Sequence, residues 1–404
     1  MRELAAVIIS FCCVPLLSKR NIPIGIAICI CAVLMSIIGG LGINGFFDVI
    51  LSTITDINKI EQYIIVAEIG VLGVLLKEYD FIDKIIDYLS KVVNNRRIIL
   101  MFIPALVGLL VVPGGAIISA PFVDRIGEDA KITKTNRAII NLIYRHISMH
   151  IMPYSTGLLV IALIVPQVSI NKVIGLNLIF VIIYCLIGYF LYLRKVENEK
   201  SDLKEPLLPN LLQLIKYTSP IYFAVILNIL FKIPFHIGLL SNFIIVYLLN
   251  PTKSFFKDIK KAFNFKILLT IIGVYLIQEN MTRMEYLNKM LVQAFSNPDT
   301  TIIGIIATSL FFGITTGFQP AALGAILPIL AMLPMSNNRL LLFCHFAFVW
   351  SFMGYFFSPL HLCQLFTCEY FGVSTSDLYK SYWKFLLLLI AALMIGYFVL
   401  IPFF

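Results

Sequence analysis

The chain has 404 residues, of which 60% are hydrophobic and only 13% charged, with a formal net charge of +9. Soluble domains carry about 25% charged residues, so composition excludes a soluble protein, and apolar runs able to cross a ~30 Å hydrocarbon layer recur from end to end. The runs are continuous rather than alternating, which excludes a β-barrel and leaves an all-α polytopic membrane protein. In a soluble chain the surplus of positive charge would point to nucleic acid; here only its distribution over the loops carries information, and no nucleic-acid partner is expected.

Residues 1–21 read as the first transmembrane segment. They resemble a secretory signal, but "CCVPLLSKR" lacks a small-residue cleavage pattern. The eight cysteines (12, 13, 29, 31, 185, 344, 363 and 368) lie in or at the ends of apolar segments. Their spacing fits neither a disulfide framework nor a zinc site, so they read as small core hydrophobes.

From residue 22 onward the chain repeats itself. "GVLLKEYDFIDKIIDYLSKVV" (73–93) parallels "GVYLIQENMTRMEYLNKMLVQ" (273–293), each an apolar run followed by an amphipathic helix. The amphipathic parts, 80–93 and 281–295, suit the membrane interface. "GLLVVPGGAIISAPFV" (108–123) parallels "GITTGFQPAALGAILPIL" (313–330), and "HIMPYSTGLLVIALIVPQVSINKVI" (150–174) parallels "FFSPLHLCQLFTCEYFGVSTSDLYK" (356–380). Repeat 1 is therefore 22–194 and repeat 2 is 233–404, joined over 195–232 by a charged linker and one extra span. In each repeat a segment with a Pro/Gly tip (98–123 and 301–333) has arms of about 10–16 residues, short for a full crossing at 1.5 Å per residue. These read as re-entrant hairpins, with tips at Pro113-Gly114-Gly115 and Gly317-Phe318-Gln319-Pro320. Gly313 and Gly317 form a small-xxx-small pair expected to let the hairpin arms pack closely. Each hairpin is followed by a helix broken at a proline, over 137–165 and 339–371.

Counting hairpins as non-crossing makes the number of spans per repeat odd, so the second repeat is inverted. The layout has about ten transmembrane helices, two hairpins and two discontinuous helices. It puts 22 of the 31 Lys and Arg residues on the cytoplasmic side and seven on the other, with Arg145 and Lys216 inside spans; that asymmetry follows the positive-inside bias. Lys59 falls in an outer loop in this layout. Inverted repeats with broken helices meeting near mid-membrane are the architecture of secondary transporters, and irregular backbone at that depth requires surrounding protein or a water-filled cavity.

Four half-helices begin at the breaks, near Gly115, Ser155, Ala321 and His361, each presenting unpaired N–H groups and a partial positive charge. Arg145 adds a full charge, and Glu68 is the one deep carboxylate. A field of that sign favours a small anionic solute. The expected binding set is Gly114, Gly115, Ser119, Asn141, Arg145, Tyr154, Ser155, Thr156, Gln319, Ser358 and His361. His146, His150 and Glu68 are candidates for carrying a coupled proton; neutral groups at the breaks suit Na⁺ equally. The competing bland readings are that Arg145 pairs with helix-end carbonyls or Glu68, and that the histidines pack or hydrogen-bond. "HISMH" lacks the glutamate of a zinc-protease motif, so neither a metal nor another cofactor is expected.

"PGGAIISAPFVD", "NLIYRHISMHIMPYSTG" and "SPLHLCQLFTCEYF" resemble the signature stretches of an uncharacterised prokaryotic integral membrane protein family. It is placed in the ion-transporter superfamily with gluconate, citrate, dicarboxylate and arsenite permeases. The resemblance covers nearly the whole chain. It implies an inverted-repeat fold in the cytoplasmic membrane of a prokaryote, and a homodimer whose transport domain moves as an elevator. Dicarboxylate members carry Ser-Asn-Thr at the hairpin tips, where this chain reads Pro-Gly-Gly and Gly-Phe-Gln-Pro, so the resemblance names a class and no substrate. The expected function is secondary active transport of a small anion with H⁺ or Na⁺, not enzymatic. The alternatives are a passive anion channel or membrane scaffold, then an intramembrane enzyme. No phosphate-binding loop for ATP is present.

Overall fold

Hydrocarbon offers no water to satisfy backbone N–H and C=O groups, so a chain of this composition must pair them within each segment. The computed structural model describes residues 2–20, 22–93, 95–108, 115–197, 206–252, 254–287, 289 and 298–404. Within them every regular element is helical and there is no strand. The first part comprises α1 (Arg2–Lys19), α2 (Ile24–Gly39), α3 (Gly42–Thr55), α4 (Ile57–Glu78), α5 (Phe81–Val92), α6 (Arg96–Gly108) and α7 (Gly115–Asp129). There follow α8 (Lys134–Arg145), α9 (Ser148–Ile151), α10 (Thr156–Ile164), α11 (Ile170–Gly188) and α12 (Leu207–Phe231). The remainder comprises α13 (Phe235–Leu249), α14 (Phe255–Ala262), α15 (Phe265–Thr282), α16 (Pro298–Thr316), α17 (Gln319–Met332), α18 (Asn337–Phe356), α19 (Leu362–Phe371) and α20 (Thr375–Leu400).

Among the described residues, five stretches are long and apolar enough to cross a membrane: Lys134–Ile164, Ile170–Leu193, Leu207–Phe231, Asn337–Phe356 and Thr375–Phe403. Shorter apolar helices, among them Phe235–Leu249 and Gln319–Met332, add to these. The chain is thus built as a multi-pass helical membrane protein. Its centre is α18, whose apolar window is 94% buried, whereas the window of α12 is 17% buried. The first is wrapped by other helices; the second presents Leu208, Leu212, Ile229 and Leu230 outward.

The breaks have local causes. A residue preceding proline is pushed out of the helical region, and Met152, before Pro153, is extended (φ −84°, ψ 118°). The chain re-enters a helix after Ser155, itself extended at ψ 141°. Pro359 acts likewise after α18, and His361 (φ −67°, ψ 105°) stands as the N-cap of α19. Between α16 and α17, Gly317 adopts φ +59°, which glycine alone tolerates freely. Pro320 then enters the first turn of α17, where its missing N–H costs nothing.

The elements interlock. Helices α6 and α7 pack on each other and on α8, while α16 packs on α17 and on α18. In addition α10 lies against α17, and α19 lies against α7 and α8. The second half of the later broken helix, α19, thus reaches the first half of the earlier one, whereas α10 reaches the α16–α17 pair.

Three expectations need correcting. Gly313 does not serve packing between the arms at 301–333. A Cβ there would come within 2.8–2.9 Å of Ser351 O, Tyr355 N and Gly354 Cα, so the close contact is with α18. The first arm of that segment, α16, has 19 residues rather than 10–16. Lys59 is 2% exposed rather than in a solvated loop; its ammonium pairs with Glu279 on α15. Burial of that ion pair is possible because Glu279 also accepts from Ser52 Oγ at 3.2 Å. Of the two amphipathic stretches, α5 buries Phe81, Ile82, Ile85, Ile86 and Leu89, and Phe81 and Tyr88 both meet Tyr217 of α12. Residues 290–295 of the second stretch, and the tip residues 113 and 114, lie outside the described residues.

Candidate functional site

The unusual chemistry collects where α8 ends. Thr133 opens α8 by accepting the Asn136 N–H at 3.3 Å, and the helix is buried from Arg137 to Arg145. Arg145 is its last residue and is 6% exposed. Its Nη1 is buried without a hydrogen-bond partner, and its carbonyl accepts from Ser148 Oγ at 3.3 Å. The C-terminal position lets the helix dipole stabilise the guanidinium by about 0.3–1 kcal/mol. A mid-membrane arginine costs roughly 2.5–3.5 kcal/mol on insertion scales. The dipole therefore does not offset the burial.

The next residue, His146, is fixed by its neighbours. Its Nδ1 lies 2.6 Å from Leu142 O, and a carbonyl can only accept, so Nδ1 carries the proton and Nε2 a lone pair. His361 repeats the arrangement, with Nδ1 3.1 Å from Phe356 O. The two Nε2 atoms then face each other at 3.1 Å. Tyr355 Oη stands 3.3 Å from His146 Nε2 and is placed to donate to it. Cys363 Sγ completes the group: its sulphur and the ring nitrogens lie within 4.8 Å of one another. Arg145 is near enough to Tyr355 and Cys363 to act on both electrostatically.

A second network lies on the same helix. Ser119 Oγ donates to Asn141 Oδ1 at 2.7 Å. Asn141 Nδ2 donates to Ala116 O at 3.1 Å and reaches Thr367 Oγ1 at 3.5 Å. These bonds tie α7, α8 and α19 together and engage both the oxygen and the nitrogen of the Asn141 amide. On the opposite side of the break, Gln319 Nε2 donates to Phe348 O at 2.8 Å, while its Oε1 is buried with no partner.

A family model matches residues 4–401, and its description is protein of unknown function, DUF401. The chain belongs to this family. No curated protein matches it.

For this DUF401 member the remaining expected residues divide by location. Ser358 Oγ donates to Ile314 O at 2.7 Å and so pins the break before α19 to the end of α16. Ser155 Oγ donates to Met149 O at 2.8 Å across the α9–α10 turn. Thr156 is the first residue of α10 and is half-buried. Gly115 opens α7, and Gly114 lies outside the described residues. Tyr154 is turned away from Arg145's group: its hydroxyl donates to Ile221 O of α12 at 2.8 Å. His150 does not join His146. It sits among Phe180, Phe348 and Phe352, with neither ring nitrogen hydrogen-bonded. Glu68 lies on α4, which packs on α13 and α15 and more lightly on α10; its Oε2 is buried without a partner.

Sequence reasoning missed Cys363 and Tyr355. Cysteine and tyrosine are ordinary in apolar segments, but the His361-x-Cys363 spacing beside the Pro359 break was a usable signal.

Proposed function

We propose that the chain is a secondary active transporter, a permease, that moves a small anion by alternating access coupled to H⁺ or Na⁺. The observation that carries the reading is Arg145: a buried guanidinium with an unpartnered Nη1 and no salt bridge among the described residues. A buried cation whose burial cost exceeds its local stabilisation is a site for an anion, and transport supplies one transiently. The N-terminal end of α19, at His361, lies beside it and favours negative charge in the same place.

The finer architecture belongs to the same proposal. The pairs α6–α7 and α16–α17 act as re-entrant hairpins, and α8–α10 and α18–α19 as the discontinuous helices of two inverted repeats. This is the plan of ion-transporter-superfamily permeases, with a homodimer as the working unit. Gln319 Oε1 supplies an acceptor at the second tip. Glu68, whose buried Oε2 has no partner, is the candidate to carry a coupled proton.

The test is thermal stabilisation of the purified protein by gluconate, lactate, citrate, succinate, amino acids and arsenite, with and without Na⁺ at two pH values. A ligand of the folded state at 100 times its Kd stabilises by about 2.7 kcal/mol. One anion is expected to raise Tm, and Arg145→Gln is expected to abolish that rise while the unliganded Tm is maintained. An equal rise in Arg145→Gln removes Arg145 from the site. For the responding anion, saturable counterflow in proteoliposomes separates a permease from a channel.

A further inference from the structure

We propose that His146, His361 and Cys363 form a binding site for a soft monovalent metal ion, copper(I), held between the two helix breaks. The inference stands independently of the transport reading, since it rests on the ligand atoms and not on Arg145's solute.

Both imidazoles are prepared as ligands. Each donates its Nδ1–H to a backbone carbonyl, Leu142 O and Phe356 O. That is the outer arrangement that fixes tautomer and orientation in metal-bound histidines. It leaves both Nε2 lone pairs directed into one space, 3.1 Å apart. An ion ~2.0 Å from each nitrogen would subtend an angle of about 100° there, an ordinary value for three- or four-fold coordination. The sulphur lies within 4.8 Å of both nitrogens, against about 3.6 Å for bonds of ~2.0 Å to nitrogen and ~2.3 Å to sulphur at a three- or four-fold angle. Binding therefore requires the Cys363 side chain to turn and bring its sulphur up to about an ångström closer to the two nitrogens. The histidines are 0–1% exposed and Cys363 is half-buried, so an ion would have its entry on the sulphur side.

Charge selects the ion. A thiolate with two imidazoles is a soft donor set suited to copper(I) or zinc. Binding breaks the Cys363 S–H bond, forms a metal–sulphur bond and releases one proton to water. Copper(I) on one thiolate is then neutral. Zinc on the same set keeps a net charge of +1 beside the Arg145 guanidinium, in surroundings where like charges are poorly screened. The neutral site also leaves the Arg145 charge undiminished.

The experiment is an anaerobic titration of the full-length protein in detergent with copper(I) held by bicinchoninate, followed by X-ray absorption at the copper edge. The expected result is one copper(I) per chain with one sulphur and two imidazole nitrogens. Loss of an outer partner lowers metal affinity ~10–100-fold, so Cys363→Ala, which removes a ligand, is expected to weaken binding by more than that. Cys344→Ala, at a buried cysteine outside the group, leaves affinity unchanged. No copper withdrawn from the chelator, or copper bound by sulphur alone, overturns the proposal. Zinc bound by this ligand set as tightly as copper(I) overturns the choice of ion. If Cys363→Ala fails to fold, the absorption spectrum of the unaltered protein decides alone.

Discussion

Arg145 depends on a residue with no side chain. A Cβ at Gly108, the last residue of α6, would lie 1.9 Å from Arg145 O and 2.7 Å from Ser148 Oγ. The nearest obstacle is backbone, which cannot swing aside. Gly108→Ala is therefore expected to destabilise the protein by at least the ~1–3 kcal/mol typical of overpacking, measured as a fall in Tm, and to lower anion-induced stabilisation with it. Glu68→Gln tests the coupled proton: it is expected to flatten the pH dependence of uptake in proteoliposomes, and an unchanged profile returns Glu68 to a structural role. What the sequence reveals at this scale follows from rarity. Arg145 and His146 stand out because ionisable groups are scarce in apolar runs. Cys363, Tyr355 and Thr367 look like any other segment residues, and only the packing of α19 on α8 brings them to the site. Tyr154 misleads for the converse reason, since proximity to Pro153 does not determine which way its ring points.

At the scale of elements, α16 and α18 meet glycine to glycine. At Gly354 an added Cβ would touch Leu310 O and Ser309 O at 3.0 Å, a few tenths of an ångström too close; at Gly313 three backbone atoms stand at 2.8–2.9 Å. Gly313→Ala is accordingly expected to lower Tm more than Gly354→Ala. Gly175→Ala on α11, where nothing lies within 4 Å, is expected to be neutral or stabilising by about 0.5–1 kcal/mol from helix propensity. The short helix α14, which is not among the apolar spans, is held to the end of α4 through one carboxylate. Ser254 Oγ and Tyr79 Oη donate to Asp258 at 2.7 and 2.9 Å, and these bonds, aided by Lys261 and Lys257, hold its pKa below the ordinary aspartate value. A depressed carboxylate stabilises the fold above its unfolded pKa, and that contribution disappears as pH falls through the folded value. The Tm difference between the unaltered protein and Asp258→Asn is therefore expected to be present at neutral pH and to close on acidification.

For the whole molecule, composition and run length suffice to indicate a helical multi-pass chain, because hydrocarbon permits few alternatives. The prolines at 153 and 359 mark the two breaks by a local steric rule. Which helix becomes central is less legible: α18 is no more hydrophobic than its neighbours, and its burial follows from what surrounds it. Crossing can be tested directly on α11 and its π-helical continuation, Tyr189–Leu193. Lys172, in the first turn of α11, and Glu197, just past Leu193, are both exposed and mark the two ends of that stretch. Cysteines introduced at these two positions are expected to react with a membrane-impermeant maleimide from opposite faces, with 197 on the cytoplasmic face where the positive charges concentrate. Labelling of both from one face would mean that the helix does not cross.

The burial of α18 also sets an order of assembly. Arg145 leaves the ribosome well before Asn337, and at ~5–20 residues per second the interval is roughly 10–40 s. Through that time α8 waits without α19 and α10 without α17, the later helices that pack on them, with the guanidinium exposed to lipid or to transient partners. A chaperone or insertase that shelters polar helices is most needed in that window, and a chain released before α18 emerges should be recognised and degraded.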